Sequence, residues 1–161
     1  MRALIPLLLT LLFAACGFQL RGPQPLPFES LYVALPESSD LGAQLRRSIR
    51  ASGGTRLVDG AQEAQAVFLP TGELREKEIL SLSSAGRVRE FRLRYRFAFR
   101  VHDASGRDII PASEIVLTRE ISFSDTQLLA KEQEELLLFR DMQNDLVQQL
   151  MRRLAAARRP G

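Results

Sequence analysis

The chain has 161 residues, of which 45% are apolar and 25% charged, with a formal net charge of +3. This composition fits one globular domain and argues against disorder or a multidomain protein. The sequence contains one Cys and one His, which excludes an intramolecular disulfide and a Cys/His zinc site. Few aromatic residues and no Trp leave little to stack on single-stranded nucleic acid.

The first fifteen residues have the pattern of a secretory signal. Arg2 supplies a positive charge, and the apolar run of about 10–13 residues that follows is too short to cross a membrane as a helix. Small residues precede Cys16, as in a bacterial lipobox, although Phe13 stands where Leu is usual. Ordinary cleavage beside a free thiol is the alternative. We expect residues 1–15 to be removed and Cys16 to be acylated.

The start of the mature chain predicts a membrane tether. Gly17 stands where bacterial lipoproteins retained in the inner membrane carry Asp, so the resemblance points to the outer membrane. Residues 16–29 are rich in Pro and Gly and are expected to form an extended tether. Residues 30–161 are expected to form one α+β domain. The mature chain has 21 basic and 19 acidic residues, an excess too small to predict a nucleic-acid partner.

The first elements of the domain are a strand and a helix. Residues 31–35 predict a short strand that Pro36 ends. Ser38, Ser39 and Asp40 offer N-cap oxygens for a helix that continues to about Ala51. Glycines 53 and 54 are typical of its end, and residues 59–65 predict a loop.

A long hairpin follows. Residues 66–82 predict a strand in which Pro70 and Gly72 indicate an edge or a bulge. Residues 84–86 fit a three-residue turn with Gly86 at the position that needs a positive φ. Residues 90–101 then alternate strictly between charged or small and apolar side chains, which predicts a strand with one buried face.

The chain ends with a strand and a helix. Residues 109–123 predict the fourth strand, and residues 124–126 are expected to cap a helix that runs to about Ala157. Apolar residues at intervals of three or four predict its buried stripe, namely Leu136, Phe139, Met142, Leu146, Leu150 and Leu154. The order β-α-β-β-β-α predicts a two-layer α+β sandwich, with two helices packed on one face of a four-stranded, mainly antiparallel sheet.

No residue pattern indicates catalysis. His102 has no second His or Cys near it and is interpreted as a surface residue at a strand end. The sequence has no G-x-S-x-G elbow and no phosphate-binding glycine loop, so we predict neither an enzyme nor a cofactor or metal.

Arginines are concentrated on one strand and its turn, namely Arg87, Arg89, Arg92, Arg94, Arg96 and Arg100. Guanidinium groups match phosphates in a bidentate manner, so these residues could bind an anionic partner. Cross-strand ion pairing is the alternative, because the turn places Glu78 opposite Arg92 and Glu76 opposite Arg94.

Three segments resemble a known family. The start of the mature chain, CGFQLRG at residues 16–22, is similar to the C-G-[FW]-x-L-R start of the LPS-assembly lipoproteins of the LptE (RlpB) family. GRDI at residues 106–109 and LAKEQE at residues 129–134 also resemble that family. The likeness follows the mature chain in order and spacing.

The resemblance implies a function. The family's two-helix, four-stranded domain sits in the lumen of the outer-membrane β-barrel LptD, one to one, and helps to assemble it and to deliver lipopolysaccharide. Lys131 matches a basic residue that contacts lipopolysaccharide in the family. A second basic residue of the family falls near Ser84, and Arg87 and Arg89 are its nearest basic neighbours here. The chain lacks the longer polar C-terminal tail of some members.

Two other functions remain open from the sequence. One is a free-standing, periplasm-facing lipoprotein that binds glycolipid or peptide without a barrel. The other is nucleic-acid binding, which would require a cytoplasmic protein.

Overall fold

The computed structural model describes residues 25–158, which contain five strands and two helices. The strands are β1 (Ser30–Val33), β2 (Arg56–Leu57), β3 (Ala66–Leu82), β4 (Val88–Asp103) and β5 (Asp108–Ser122), and the helices are α1 (Asp40–Ser52) and α2 (Leu128–Ala155). Short 3-10 turns occur at Ala61–Glu63 and Asp125–Gln127. No helix within residues 25–158 is long and apolar enough to cross a membrane.

The strands form one mixed sheet in the order β2-β1-β3-β4-β5. β1 runs parallel to both β2 and β3, whereas β3, β4 and β5 form an antiparallel meander. The predicted α+β class is confirmed, but the sheet has five strands where four were predicted. The additional strand is the two-residue β2, which is too short to show a hydrophobic period. It exists because Arg56 donates its amide to the Glu29 carbonyl and Val58 to that of Leu31.

Both helices pack on the same face of the sheet. The apolar residues of β4 that alternate with its arginines are buried there together with one side of each helix. α1 contributes Leu41, Leu45 and Ile49, and the rings of Phe68 and Phe99 stack with centroids 5.3 Å apart beneath them. The opposite face of the meander carries the arginines and is not covered by any element in residues 25–158.

α1 begins and ends where the sequence predicts. The Ser39 hydroxyl accepts a hydrogen bond from the Gly42 amide over 3.1 Å, as an N-cap does. Gly53 follows the helix with a φ of 70°, a conformation that side chains with a Cβ rarely adopt.

The predicted register of the hairpin is confirmed. Glu78 lies opposite Arg92 and Glu76 opposite Arg94, and the ladder shifts between Pro70 and Gly72 as at a bulge. β1 pairs with β3 only at residues 66–68, so within the described chain β4 is the one strand that pairs with the rest of β3. The meander therefore extends beyond the core as an arm of three strands.

α2 differs from its prediction at its first half. Residues 124–126 do not cap it, because a 3-10 turn intervenes and Gln127 occupies the N-cap without a side-chain hydrogen bond. Leu136 is 55% exposed, so its predicted place in the buried stripe is wrong. The reason is that α1 reaches only the second half of α2, where Gln44 donates to Asn144 over 2.6 Å. The stripe from Met142 onward is buried as predicted.

The core begins before β1. Leu26 and Phe28 are 6% and 2% exposed, and the Phe28 carbonyl accepts from the Thr55 hydroxyl over 2.8 Å. The packed part of the chain therefore includes residues that the sequence analysis assigns to the tether. Cys16 and the predicted signal lie outside the described residues.

Candidate functional site

The turn between β3 and β4 places two of the predicted basic residues at one end of the molecule. The Ser83 amide donates to the Arg87 carbonyl over 2.7 Å, and the Gly86 amide donates to the Ser83 carbonyl over 2.9 Å. Gly86 has a φ of 72°, as the predicted turn requires. Arg87 closes this turn, and Arg89 is the second residue of β4.

The third predicted residue, Lys131, lies at the same end. It stands in the first turn of α2, and its Nζ donates to the Ser122 hydroxyl over 2.9 Å at the end of β5. The next residue, Phe123, donates its amide to the Arg89 carbonyl over 2.7 Å. The structure therefore brings Lys131, Arg87 and Arg89 to one end of the arm, which we call the hairpin end.

The three basic side chains differ in their exposure and in whether they already have a partner within the described residues. The guanidinium groups of Arg87 and Arg89 are exposed and have no hydrogen-bond or ion-pair partner within residues 25–158. Lys131 has a side chain that is 17% exposed, and its Nζ lies 2.8 Å from a carboxylate oxygen of Glu134. The arginines are thus available to an anion directly, whereas Lys131 must exchange partners.

Lys77 joins this site although the sequence analysis did not single it out. It is one of the two lysines of the chain, and both line a small cleft of about 50 Å³. Its Nζ lies 2.5 Å from a Glu135 carboxylate oxygen and 4.3 Å from the centroid of the Phe91 ring. The hairpin register could have placed Lys77 at this site from the sequence, because Lys77 lies opposite Leu93 and therefore on the helix-facing side of β3.

Apolar side chains surround the basic residues at the hairpin end. Ile79, Leu82, Leu128 and Leu129 are between 49% and 77% exposed. Neighbouring apolar residues that remain exposed often mark a surface that binds a partner. A ligand with phosphates beside hydrocarbon chains matches both kinds of side chain.

Most of the arginines on β4 are already paired. Arg92, Arg94, Arg96 and Arg100 have carboxylate partners within 3.5 Å, from Glu120, Glu78, Glu114 and Asp108 respectively. Arg94 thus pairs diagonally with Glu78 rather than with the directly opposite Glu76. Cross-strand pairing therefore explains these four residues, and Arg87 and Arg89 remain for an anionic partner.

His102 shows no catalytic arrangement. Its Nδ1 lies 2.8 Å from the Asp103 carbonyl near the end of β4. Among residues 25–158, no three His, Cys, Asp or Glu side chains gather as a metal site would require.

A family model and curated relatives match most of the chain. The LptE family model, described as lipopolysaccharide-assembly, matches residues 28–154. The chain is 35% identical over 153 residues to the LPS-assembly lipoprotein LptE of Yersinia pestis (strain Pestoides F), covering 91% of this chain and 72% of that protein. The same values hold for the LPS-assembly lipoprotein LptE of Yersinia pseudotuberculosis serotype O:1b (strain IP 31758).

Solved structures have the same architecture. Lipoprotein B from Nitrosomonas europaea superposes with a TM-score of 0.74 at 44% identity, covering 87% of this chain and 91% of that one. The rare lipoprotein B of Shewanella oneidensis shares the fold with a TM-score of 0.69 at 23% identity, covering 79% and 94%. Since the family model spans residues 28–154 and the curated relatives are 35% identical, the chain belongs to the LptE family of lipopolysaccharide-assembly lipoproteins.

Proposed function

We propose that the protein is an outer-membrane lipoprotein, acylated at Cys16, that occupies the lumen of an LptD-like β-barrel one to one. It faces the periplasm, assists assembly of the barrel and takes part in lipopolysaccharide transport to the cell surface. It binds lipopolysaccharide through Arg87, Arg89 and Lys131 and is not an enzyme. Membership of the family supports a role in lipopolysaccharide assembly. The partnership with a barrel and the identity of the binding residues are our proposal.

The observation that carries the proposal is the convergence of three basic residues from separate elements at the hairpin end. Arg87 comes from the β3–β4 turn, Arg89 from the start of β4, and Lys131 from the start of α2, more than forty residues later. Exposed leucines flank them. Phosphate groups pair with guanidinium and ammonium groups, and acyl chains pack against leucines. Lipid A presents both.

The dimensions of the arm suit a position inside a barrel. β4 has 16 residues, which at roughly 3.3 Å per residue extend about 50 Å and exceed the roughly 30 Å of a bilayer's hydrocarbon core. The uncovered face of the arm bears ion pairs such as Arg96–Glu114 at 3.0 Å. A barrel lumen is polar and can enclose a face of this kind.

Co-purification tests the barrel partnership. The protein, tagged at its C-terminus, is expressed with its native envelope proteins, and detergent-solubilised outer membrane is passed over an affinity resin. A large barrel that elutes at about one to one supports the proposal. A lone lipoprotein in good yield contradicts it and favours a free-standing carrier of glycolipid or peptide.

A titration of purified protein with lipopolysaccharide tests the binding residues. The double variant Arg87→Gln/Arg89→Gln is compared with the unaltered chain and with Arg140→Gln, an exposed helix arginine with no ion-pair partner in residues 25–158. We expect the double variant to bind at least about 30-fold more weakly, since each of the two charge-assisted contacts contributes about 1 kcal/mol or more. Equal affinities for all three proteins would exclude these arginines.

A further inference from the structure

A second group of arginines lies at the end of the sheet opposite the hairpin end. α1 places Arg46, Arg47 and Arg50 at a cleft of about 440 Å³, whose far wall includes Leu57 of β2. We call it the helix–β2 cleft. β1 pairs with residues 66–68 at the start of β3, whereas the hairpin turn follows Leu82 at its end. The two basic regions are thus separated by most of the length of β3.

None of the three arginines of this cleft forms an ion pair within residues 25–158. Arg46 donates to the carbonyls of Val33 and Leu35, which anchors its guanidinium at the cleft. The side chains of Arg47 and Arg50 are exposed, and their guanidinium groups have no hydrogen-bond or ion-pair partner in residues 25–158. They stand three residues apart, so they lie close together on the helix surface. Arginines on the middle of the arm, by contrast, are paired with carboxylates.

The cleft is close to the point where the N-terminal segment enters the fold. Arg56 donates its amide to the Glu29 carbonyl over 2.9 Å, so β2 is bonded directly to Glu29, four residues after Pro25, the first described residue. Cys16 and Pro25 are joined by nine peptide links, which can extend at most about 32 Å. Lipid headgroups around acyl chains on Cys16 are therefore within reach of the cleft.

We propose that the helix–β2 cleft docks the headgroup of an anionic phospholipid in the leaflet that holds the acyl anchor. The proposal rests on the acylation of Cys16 but not on binding of lipopolysaccharide or of a barrel. Guanidinium groups donate paired hydrogen bonds to phosphate oxygens, and a cleft of about 440 Å³ accommodates a glycerophosphate headgroup. It would also limit how far the domain tilts on its tether.

The acids at the cleft define which headgroup fits. Glu37 and Asp59 also line it, so three arginines face two carboxylates and the formal charge is +1. A headgroup with one net negative charge, such as phosphatidylglycerol, balances this charge. A glycolipid with several phosphates would meet repulsion from the carboxylates and suits the hairpin end better.

Vesicle co-sedimentation tests the proposal. The mature chain, residues 16–161, carries Cys16→Ser so that no acyl chain masks electrostatic binding. Vesicles are made of phosphatidylethanolamine alone or with phosphatidylglycerol. We expect binding only when phosphatidylglycerol is present, and about 30-fold weaker binding by Arg47→Gln/Arg50→Gln, because each arginine near a charged surface is worth about 5-fold. A thermal melt of each variant shows whether the fold is retained.

The double variant Arg87→Gln/Arg89→Gln is the matched control, because it removes from the hairpin end two arginines that are also exposed and have no ion-pair partner in residues 25–158. It is expected to sediment with phosphatidylglycerol vesicles within about 2-fold of the unaltered chain. The proposal is overturned if the hairpin-end variant loses binding while the cleft variant keeps it. It is also overturned if neutral and anionic vesicles bind equally. The lipopolysaccharide titration reports separately on the proposed function.

Discussion

Lys131 and Glu134 form an ion pair at 2.8 Å on the first turns of α2. The pair lies at the end of β5, where Lys131 also donates to Ser122. Its amine is therefore held by two partners, whereas the exposed guanidinium groups of Arg87 and Arg89 have none among the residues that the structure describes. If a phosphate binds at Lys131 as proposed, it has to compete with the Glu134 carboxylate, so we expect this acid to lower the affinity of the hairpin end for phosphate.

We predict that Lys131→Glu weakens lipopolysaccharide binding by about 10-fold or more, since it replaces a donor to phosphate with a repelling carboxylate. The barrel complex is expected to remain, because the side chain is confined to the hairpin end. A direct titration and the co-purification described above measure the two effects. An unchanged titration would show that Lys131 does not carry the binding.

Glu134→Gln is predicted to act in the opposite direction. Removal of the carboxylate releases Lys131 while the residue stays compatible with the helix. We expect lipopolysaccharide affinity to rise by about 2- to 5-fold, as an exposed ion pair is worth only about 0.2–1 kcal/mol. Glu132→Gln, an exposed acid on the same turns with no ion-pair partner in residues 25–158, is the control. Equal gains from both variants would indicate a general charge effect instead.

Two leucines of α2 are predicted to differ sharply in their effect on stability. Leu146 is 1% exposed and Leu136 is 55% exposed. Leu146→Ala should lower the free energy of unfolding by about 2–5 kcal/mol through the cavity it leaves. Leu136→Ala should change it by less than about 1 kcal/mol. Urea denaturation followed by circular dichroism measures both, and similar losses would mean that Leu136 is packed as the sequence pattern predicted.

Tyr95 is a buried residue of β4, and ionisation of its phenol is predicted to lower the stability of the fold at high pH. Its hydroxyl donates to Glu73 over 2.7 Å and accepts from Arg75 over 3.1 Å. Burial, and after it the hydrogen bond with Glu73, raises the pKa of the Tyr95 phenol above its ordinary value. Because the pKa of Tyr95 is higher in the folded than in the unfolded chain, its phenol contributes to the free energy of unfolding. This contribution is complete below about pH 10 and is lost as the pH rises further.

We therefore predict that folded protein with Tyr32→Phe, in which Tyr95 is the remaining tyrosine, shows little phenolate absorbance near pH ~11. The absorbance should appear on unfolding in urea at the same pH. Tyr95→Phe should lower the free energy of unfolding by about 1 kcal/mol near neutral pH and flatten its decline at high pH. Full ionisation of the folded protein near pH ~11 would contradict the prediction.

Protonation of Asp103 is predicted to lower the stability of the fold at low pH. It ends β4, and its carboxylate accepts from the Ser105 hydroxyl over 2.6 Å and from the Ser105 and Arg107 amides. These hydrogen bonds, with that of the Ser105 hydroxyl largest, lower the pKa of Asp103 to about 2. Because the pKa is lower in the folded than in the unfolded chain, the ionised Asp103 carboxylate contributes to the free energy of unfolding. This contribution is present above about pH 4 and is lost as the pH falls towards 2.

Asp103→Asn should accordingly lower the melting temperature by a few degrees at neutral pH. Protonated Asp resembles Asn, so the difference should shrink between about pH 4 and pH 2. Thermal melts of both proteins across this range measure the effect. A difference that stays constant with pH would show that charge at Asp103 is not the cause.

The sequence predicted the hairpin register because two independent signals agreed on it. The alternation from Phe91 to Val101 fixed which residues share a face, and Gly86 marked the turn, so Glu78 and Arg92 had to lie opposite each other. It did not determine which acid each arginine would pair with, because β5 supplies competing carboxylates such as Glu120.

Local pattern by itself thus determined the caps of α1, the meander and its buried face, since each depends on neighbouring residues and on a period of two. Only the tertiary structure decided the extent of the core on α2, because burial of Leu136 depends on which part of α2 α1 reaches. It also decided that Lys131 joins Arg87 and Arg89. Lys131 lies more than forty positions from the two arginines in the chain. The three residues come to the same end of the molecule because β5 runs back to the hairpin end and α2 begins there, which no local sequence pattern can predict.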